Sequence, residues 1–206
     1  AEELVVDLSL GVNTSLGYIR SSFGIPREDE PPYSMVWTGL QNMTVSGDSL
    51  IKTVNGWNGY ASSIIKLDKG QDGWLEFKAV SIDKALMFGL AEKDINASFN
   101  YINYAVYLIN NATLQIRENG VIAANFIPYQ IGDVFRIERV GQTVQYLKNG
   151  QVMYTSGVAS NTELIADMSL HTLGATITEV KASFYLQHPE EQHIDITREF
   201  DYDHAG

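Results

Sequence analysis

Apolar and polar residues alternate along most of the chain, and a period of two marks strands with one buried face. Residues 4–10, 35–40, 49–53 and 61–67 read as the first strands. In 74–80, Leu75, Phe77 and Ala79 alternate with Trp74, Glu76 and Lys78. Further strands are predicted at 86–90, 101–109, 114–118, 121–126, 134–140, 144–148, 152–156, 164–170 and 177–186. No stretch keeps a helical period. Asn119-Gly120 and Asn149-Gly150 each sit between two such runs. Asn-Gly supplies the two positive backbone angles of a tight hairpin, so both pairs predict turns rather than chemistry.

Roughly a dozen short strands at regular spacing predict an all-β fold, a two-sheet antiparallel β-sandwich. Residues 20–34 read as a loop with three prolines and an acidic cluster. After 186 the pattern changes: His188-Pro189-Glu190-Glu191 breaks the last strand, and Asp195, Glu199, Asp201 and Asp203 follow. The expected organisation is a sandwich domain over 1–186. Residues 187–206 are then an acidic tail, either an edge strand through Ile194, Ile196, Phe200 and Tyr202 or a linker.

Composition narrows the partners. The 206 residues are 45% hydrophobic, enough for a sizeable core, and carry a net charge of −11 with Lys and Arg scattered singly. Phosphate backbones and anionic membranes would repel such a chain, so no nucleic acid is expected as partner. No apolar stretch approaches the roughly 20 residues of a membrane span, so no membrane insertion is expected. There is no cysteine, which excludes disulfides, thiolate metal sites and thiol catalysis. An acidic, Cys-free, Asn/Thr/Gly-rich β-domain fits an extracellular or cell-surface location. Ala1-Glu2-Glu3 is not a secretory leader, so a secreted form would have had its leader removed or lying outside this sequence.

The block 57–156 resembles a concanavalin A-like lectin/glucanase domain, of the kind found in bacterial extracellular and adhesin proteins. The residues carrying the resemblance are Gly56-Trp57-Asn58, Gly73-Trp74-Leu75-Glu76-Phe77, Met87-Phe88-Gly89-Leu90, Ile102-Asn103-Tyr104-Ala105-Val106 and Ile116-Arg117-Glu118-Asn119-Gly120. Densest is Tyr129-Gln130-Ile131-Gly132-Asp133-Val134-Phe135-Arg136-Ile137, followed by the Asn149-Gly150 hairpin. It implies a jelly roll, a fold that hosts lectins, hydrolases and structural modules alike.

Glycoside hydrolysis needs two carboxylates roughly 5 to 9 Å apart across a cleft. Glucanases of this fold usually carry Glu-x-Asp-x-x-Glu on one strand, and no such run is present; Glu76 and Glu118 stand alone on their strands. No Gly-x-Ser-x-Gly elbow exists either. His188 and His193 with Asp195 could ligate a metal, but they sit in the predicted tail. Calcium is a possible cofactor through loop residues Asp68, Asp72, Asp83, Asp94 and Asn96, each also an ordinary turn former.

The aromatic residues carry the functional clue: 11 Tyr, 3 Trp and 8 Phe. A ring stacks on the apolar face of a pyranose while amides bind its hydroxyls. Two turn-rich stretches combine these groups, 55–60 and 96–104, and they nominate Trp57, Asn58, Tyr60, Asn100, Tyr101 and Asn103 as ligand-binding residues. The competing assignment makes Trp57 and Tyr104 core aromatics. Three functions follow. The leading one is a non-catalytic, lectin-like module in surface adhesion, whose partner is a glycan or cell-surface ligand. The second is a structural or assembly module of a larger adhesin, fibre or capsid-like protein. The third is a glycoside hydrolase or lyase.

Overall fold

The alternating runs become fifteen strands in a computed structural model that describes residues 33–93 and 96–184. In chain order these are β1 (Tyr33–Ser34), β2 (Trp37–Gln41), β3 (Met43–Ser46), β4 (Ser49–Lys52) and β5 (Gly59–Leu67). Next come β6 (Gly73–Lys78), β7 (Leu86–Ala91), β8 (Tyr104–Leu108), β9 (Thr113–Glu118) and β10 (Val121–Pro128). The last are β11 (Val134–Val140), β12 (Thr143–Lys148), β13 (Gln151–Thr155), β14 (Leu164–Leu170) and β15 (Thr176–Ala182). A 3-10 turn at Phe99–Tyr101 is the one helical element among the described residues.

Two antiparallel sheets form. One runs β13-β12-β11-β6-β15-β4-β3, with β1 also paired to β15, and the other runs β10-β9-β8-β7-β14-β5-β2. Their inner faces interdigitate, and Phe77 of the first meets Phe88 of the second edge to face at 4.9 Å. Phe135, Ile137 and Val144 oppose Val106, Leu114, Ile116 and Met168, all within 1% of complete burial. Each such side chain contributes about 1.5–3 kcal/mol. This is the two-sheet sandwich that the alternation predicts.

Both Asn-Gly hairpins have positive φ at both residues, 50° and 78° at Asn119-Gly120 and 51° and 78° at Asn149-Gly150. Three expectations need correction. Residues 101–103 are not strand: they leave the 3-10 turn and reach β8 only at Tyr104. The strand expected at 35–40 is displaced to β2, and β3 was not foreseen because its MTVS sequence is short and largely exposed. The 177–186 strand ends at Ala182. The strand at 4–10, nearly all of the 20–34 loop, Asp94, and the tail with His188, His193 and Asp195 lie outside the described residues.

Arg139 closes one end of the sandwich. Its side chain is on the core side of β11 and fully buried, and its donors meet backbone carbonyls rather than a carboxylate. Nε reaches Gln71 O at 2.9 Å, Nη1 reaches Thr162 O at 2.6 Å, and Nη2 reaches Gln71 O at 2.8 Å and also Asp68 O. One guanidinium thereby ties loop 68–72 to loop 160–162.

Candidate binding site

On an antiparallel sheet one face normally meets water. The outward residues of the seven-stranded sheet depart from that rule. Met87 and Ala105 are buried, as are Ser62, Asp167 and Ser169, although Leu86, Phe88, Tyr104, Val106 and Met168 occupy the inward positions. A thin second layer covers Met87, Ala105 and Ser169. Segment 96–103 lies across β7 and β8, placing Ile102 on Met87 and Ala105 with Trp57, Phe99 and Tyr107 packed around them. Ser169 Oγ fastens this segment to β14 by donating to Ala97 O at 2.7 Å. Asn96 Oδ1 shapes its start by accepting from Ser98 N at 2.8 Å.

The layer is aromatic. Trp57 lies 5.0 Å from Phe99, 5.5 Å from Tyr107 and 5.1 Å from His171, ring centre to ring centre. Arg117, on the outward face of β9, completes the cluster. Its guanidinium carbon is 5.4 Å from the Tyr107 ring centre and 5.8 Å from that of Phe99, within cation–π range. Arg117 Nε donates to Gln115 Oε1 at 2.9 Å, and Nη1 donates to Gly120 O at 3.0 Å. Gln115 Nε2 then donates to Asn125 Oδ1 at 2.9 Å. Burial raises the Tyr107 phenol above its usual pKa, and the nearby Arg117 charge offsets part of that rise.

The two nominated stretches therefore meet, through Trp57 and Phe99. Their members differ in what they still offer. Trp57 is half-buried among other rings, so it is neither a free platform nor part of the main core; Tyr104 is in that core. Asn58 is turned inward: its Oδ1 accepts from the buried Lys52 Nζ and its carbonyl from Asn42 Nδ2. Burial lowers the Lys52 pKa. Asn103 braces the β9–β10 hairpin, accepting from Glu92 N at 2.8 Å and donating to Asn119 Oδ1 at 2.8 Å. Tyr60 sits half-buried on the outward side of β5, in register with Ser169. Asn100 and Tyr101 are exposed on the 3-10 turn, Tyr101 by 42%. Sequence reasoning did not nominate Phe99, Tyr107, Gln115 or Arg117. Alternation alone marks Gln115 and Arg117 as outward, because Leu114 and Ile116 are core, but their neighbours depend on register across strands.

The two lone carboxylates do not converge. Glu76 is on the outward face of the eight-stranded sheet and accepts two hydrogen bonds from Arg136, at 3.0 and 2.8 Å. Glu118 points into the core, where Tyr146 donates to it at 3.2 Å; burial strongly raises the Tyr146 pKa. Among the described residues no three His, Asp or Glu side chains gather to hold a metal. A separate cleft of about 330 Å3, with Trp37, Asp48 and Glu179 in its wall, lies between β15 and the β3–β4 hairpin. Two of its polar wall residues are engaged internally: Lys78 pairs with Glu179 at 3.0 Å, and Ser49 Oγ donates to Thr178 Oγ1 at 2.9 Å. The outer layer of the other sheet remains the better candidate.

No family model matches the sequence, and the search of curated proteins finds no match. Solved structures do match. The TRIM65 PSpry domain is 12% identical, with 75% of this chain and 93% of that one covered at a TM-score of 0.52. The exoplasmic/lumenal domain of VIP36, in a form bound to Ca2+ and Man3GlcNAc, is 7% identical, with 74% and 85% covered at 0.51. The fold is a concanavalin A-like jelly roll. A human SPRY domain, 15% identical over 70% of this chain and 97% of its own with a TM-score of 0.51, has the same jelly roll. Within that jelly roll, no helix among the described residues is long and apolar enough to cross a membrane.

Proposed function

We propose that this jelly roll is a non-catalytic, lectin-like carbohydrate-binding module of an extracellular or cell-surface protein. It comprises residues 1–186, with 187–206 as a tail. The observation that carries the reading is the layer on the outer face of the seven-stranded sheet. There Trp57, Phe99 and Tyr107 come together from distant parts of the sequence beside the exposed Asn100 and Tyr101. Rings near amides are what a pyranose needs, apolar on one face and hydroxylated at its edge. The likeness to the Man3GlcNAc-bound VIP36 domain supports the reading at the level of fold. Catalysis is disfavoured because Glu76 and Glu118 project to opposite sides of different sheets, already engaged by Arg136 and Tyr146.

An assembly module is the second reading, favoured by β10. Among the described residues β10 is an edge strand of the seven-stranded sheet and exposes Val121 and Phe126 by 70% each, and an unpaired apolar edge invites another strand. Saccharide-array binding with and without calcium separates the two. Tyr101→Ala should leave the melting temperature unchanged and weaken glycan binding about tenfold, a loss of about 1.4 kcal/mol. Trp57→Ala should lower both, because Trp57 also holds the layer. An array with no bound saccharide removes the lectin reading and leaves the edge.

A further inference from the structure

We infer that the ligand is an anionic glycan, carrying a uronate carboxylate or a sulfate ester, and that Arg117 receives the negative group. This deepens the carbohydrate-binding reading and rests on it. Three cations on other strands are paired with carboxylates: Arg136 with Glu76, Lys78 with Glu179 and Lys66 with Glu163. Arg117 has no carboxylate within ion-pair distance among the described residues. Its two hydrogen bonds go to neutral oxygens, those of Gln115 and Gly120. A guanidinium has five N–H donors, so three remain, two of them on Nη2.

The group is also held in place. Tyr107 and Phe99 lie within cation–π range, and the bonds to Gln115 and Gly120 fix its rotation. A carboxylate or sulfate meets such a fork through paired N–H···O bonds, and a fork already immobilised loses less entropy on binding. The rings that hold Arg117 belong to the aromatic layer, so a sugar stacked on the layer would bring a pyranose substituent to the guanidinium. The net charge of −11 opposes an anion at long range, but salt screens that field beyond about 8 Å at physiological ionic strength.

The experiment is calorimetric titration of the full chain with three polymers of similar length: a neutral glucan, a polyuronate and a sulfated polysaccharide. At least one charged polymer should bind about tenfold more tightly than the glucan at physiological ionic strength, where the net charge is screened, and 0.5 M salt should remove the advantage. The arm with the higher affinity identifies the anion. Arg117→Gln should abolish the advantage at an unchanged melting temperature. Arg117→Lys, which keeps the charge without the fork, should recover only part of it. Equal or tighter binding of the neutral glucan overturns this inference while leaving a carbohydrate module standing, as does a charged-polymer preference that survives in folded Arg117→Gln. Failure of all three polymers to bind overturns both.

Discussion

Arg139 and Arg117 lie on the two faces that alternation separates, and their surroundings set opposite duties. Arg139 shares a face with Phe135 and Ile137, so its guanidinium is drawn into the interior, where loop carbonyls satisfy it and burial lowers its pKa. Replacing it with Leu would strand the carbonyls of Asp68, Gln71 and Thr162 without their donor. Hydrogen bonds to charged groups contribute about 1.5–3 kcal/mol each. Arg139→Leu should therefore destabilise by about 3 kcal/mol or more, a fall of roughly 6–12 °C in melting temperature. Arg139→Lys should recover only part, since an ammonium lacks the fork. An unchanged melting temperature in the Leu variant would refute the clamp. Which face each arginine occupies is legible in VFRIERV and TLQIRE from the spacing of their apolar residues. What each arginine touches is not: Thr162 is 23 residues from Arg139, and Phe99 belongs to a turn that precedes β8.

Strands carry the part of the fold that sequence describes best. β11 and β14 begin and end where the alternation places them, because their inward residues are uninterrupted. Residues 101–103 mislead because Ile102 is apolar for a different reason: it caps the outer layer instead of entering the core. The continuous run in β7, buried at all six positions, is the trace that this layer leaves in the sequence. Gly89 sits in the middle of that run. A Cβ there would fall 2.0 Å from Tyr104 O and 2.8 Å from Ala105 Cα, both backbone atoms of the adjacent strand. They can give way only if β7 and β8 separate. Gly89→Ala should cost about 1–3 kcal/mol and shift Trp57 fluorescence, because the layer rests on β8. Gly157→Ala, with nothing within 4 Å of the new carbon, should do neither.

At the scale of the whole molecule, the buried tyrosines should weaken the fold at high pH. Burial raises the phenols of Tyr104, Tyr107 and Tyr146, and pushes Tyr129 up to about 12 from 10.0. A pKa raised by folding means that the folded chain keeps protons the unfolded chain would release. The associated stability is intact below pH 10 and is lost as pH rises from 10 towards 12 and beyond. Lys52, with its lowered pKa, works in the opposite sense. Tyr129→Phe removes one of the retained protons, so its unfolding free energy should fall less steeply between pH 10 and 12, by one proton's slope. Equal slopes would show that the Tyr129 hydroxyl does not titrate with unfolding. The outer layer has an apolar cluster of its own, around Met87, Ile102 and Ala105, separate from the main core between the sheets. That separation decouples two kinds of inheritance. If the outer layer is the binding site proposed above, segments 55–58 and 96–103 could diverge in sequence, and specificity with them, under a constraint separate from that on the residues between the sheets, so descendants of such a chain could change what they recognise long before they change shape.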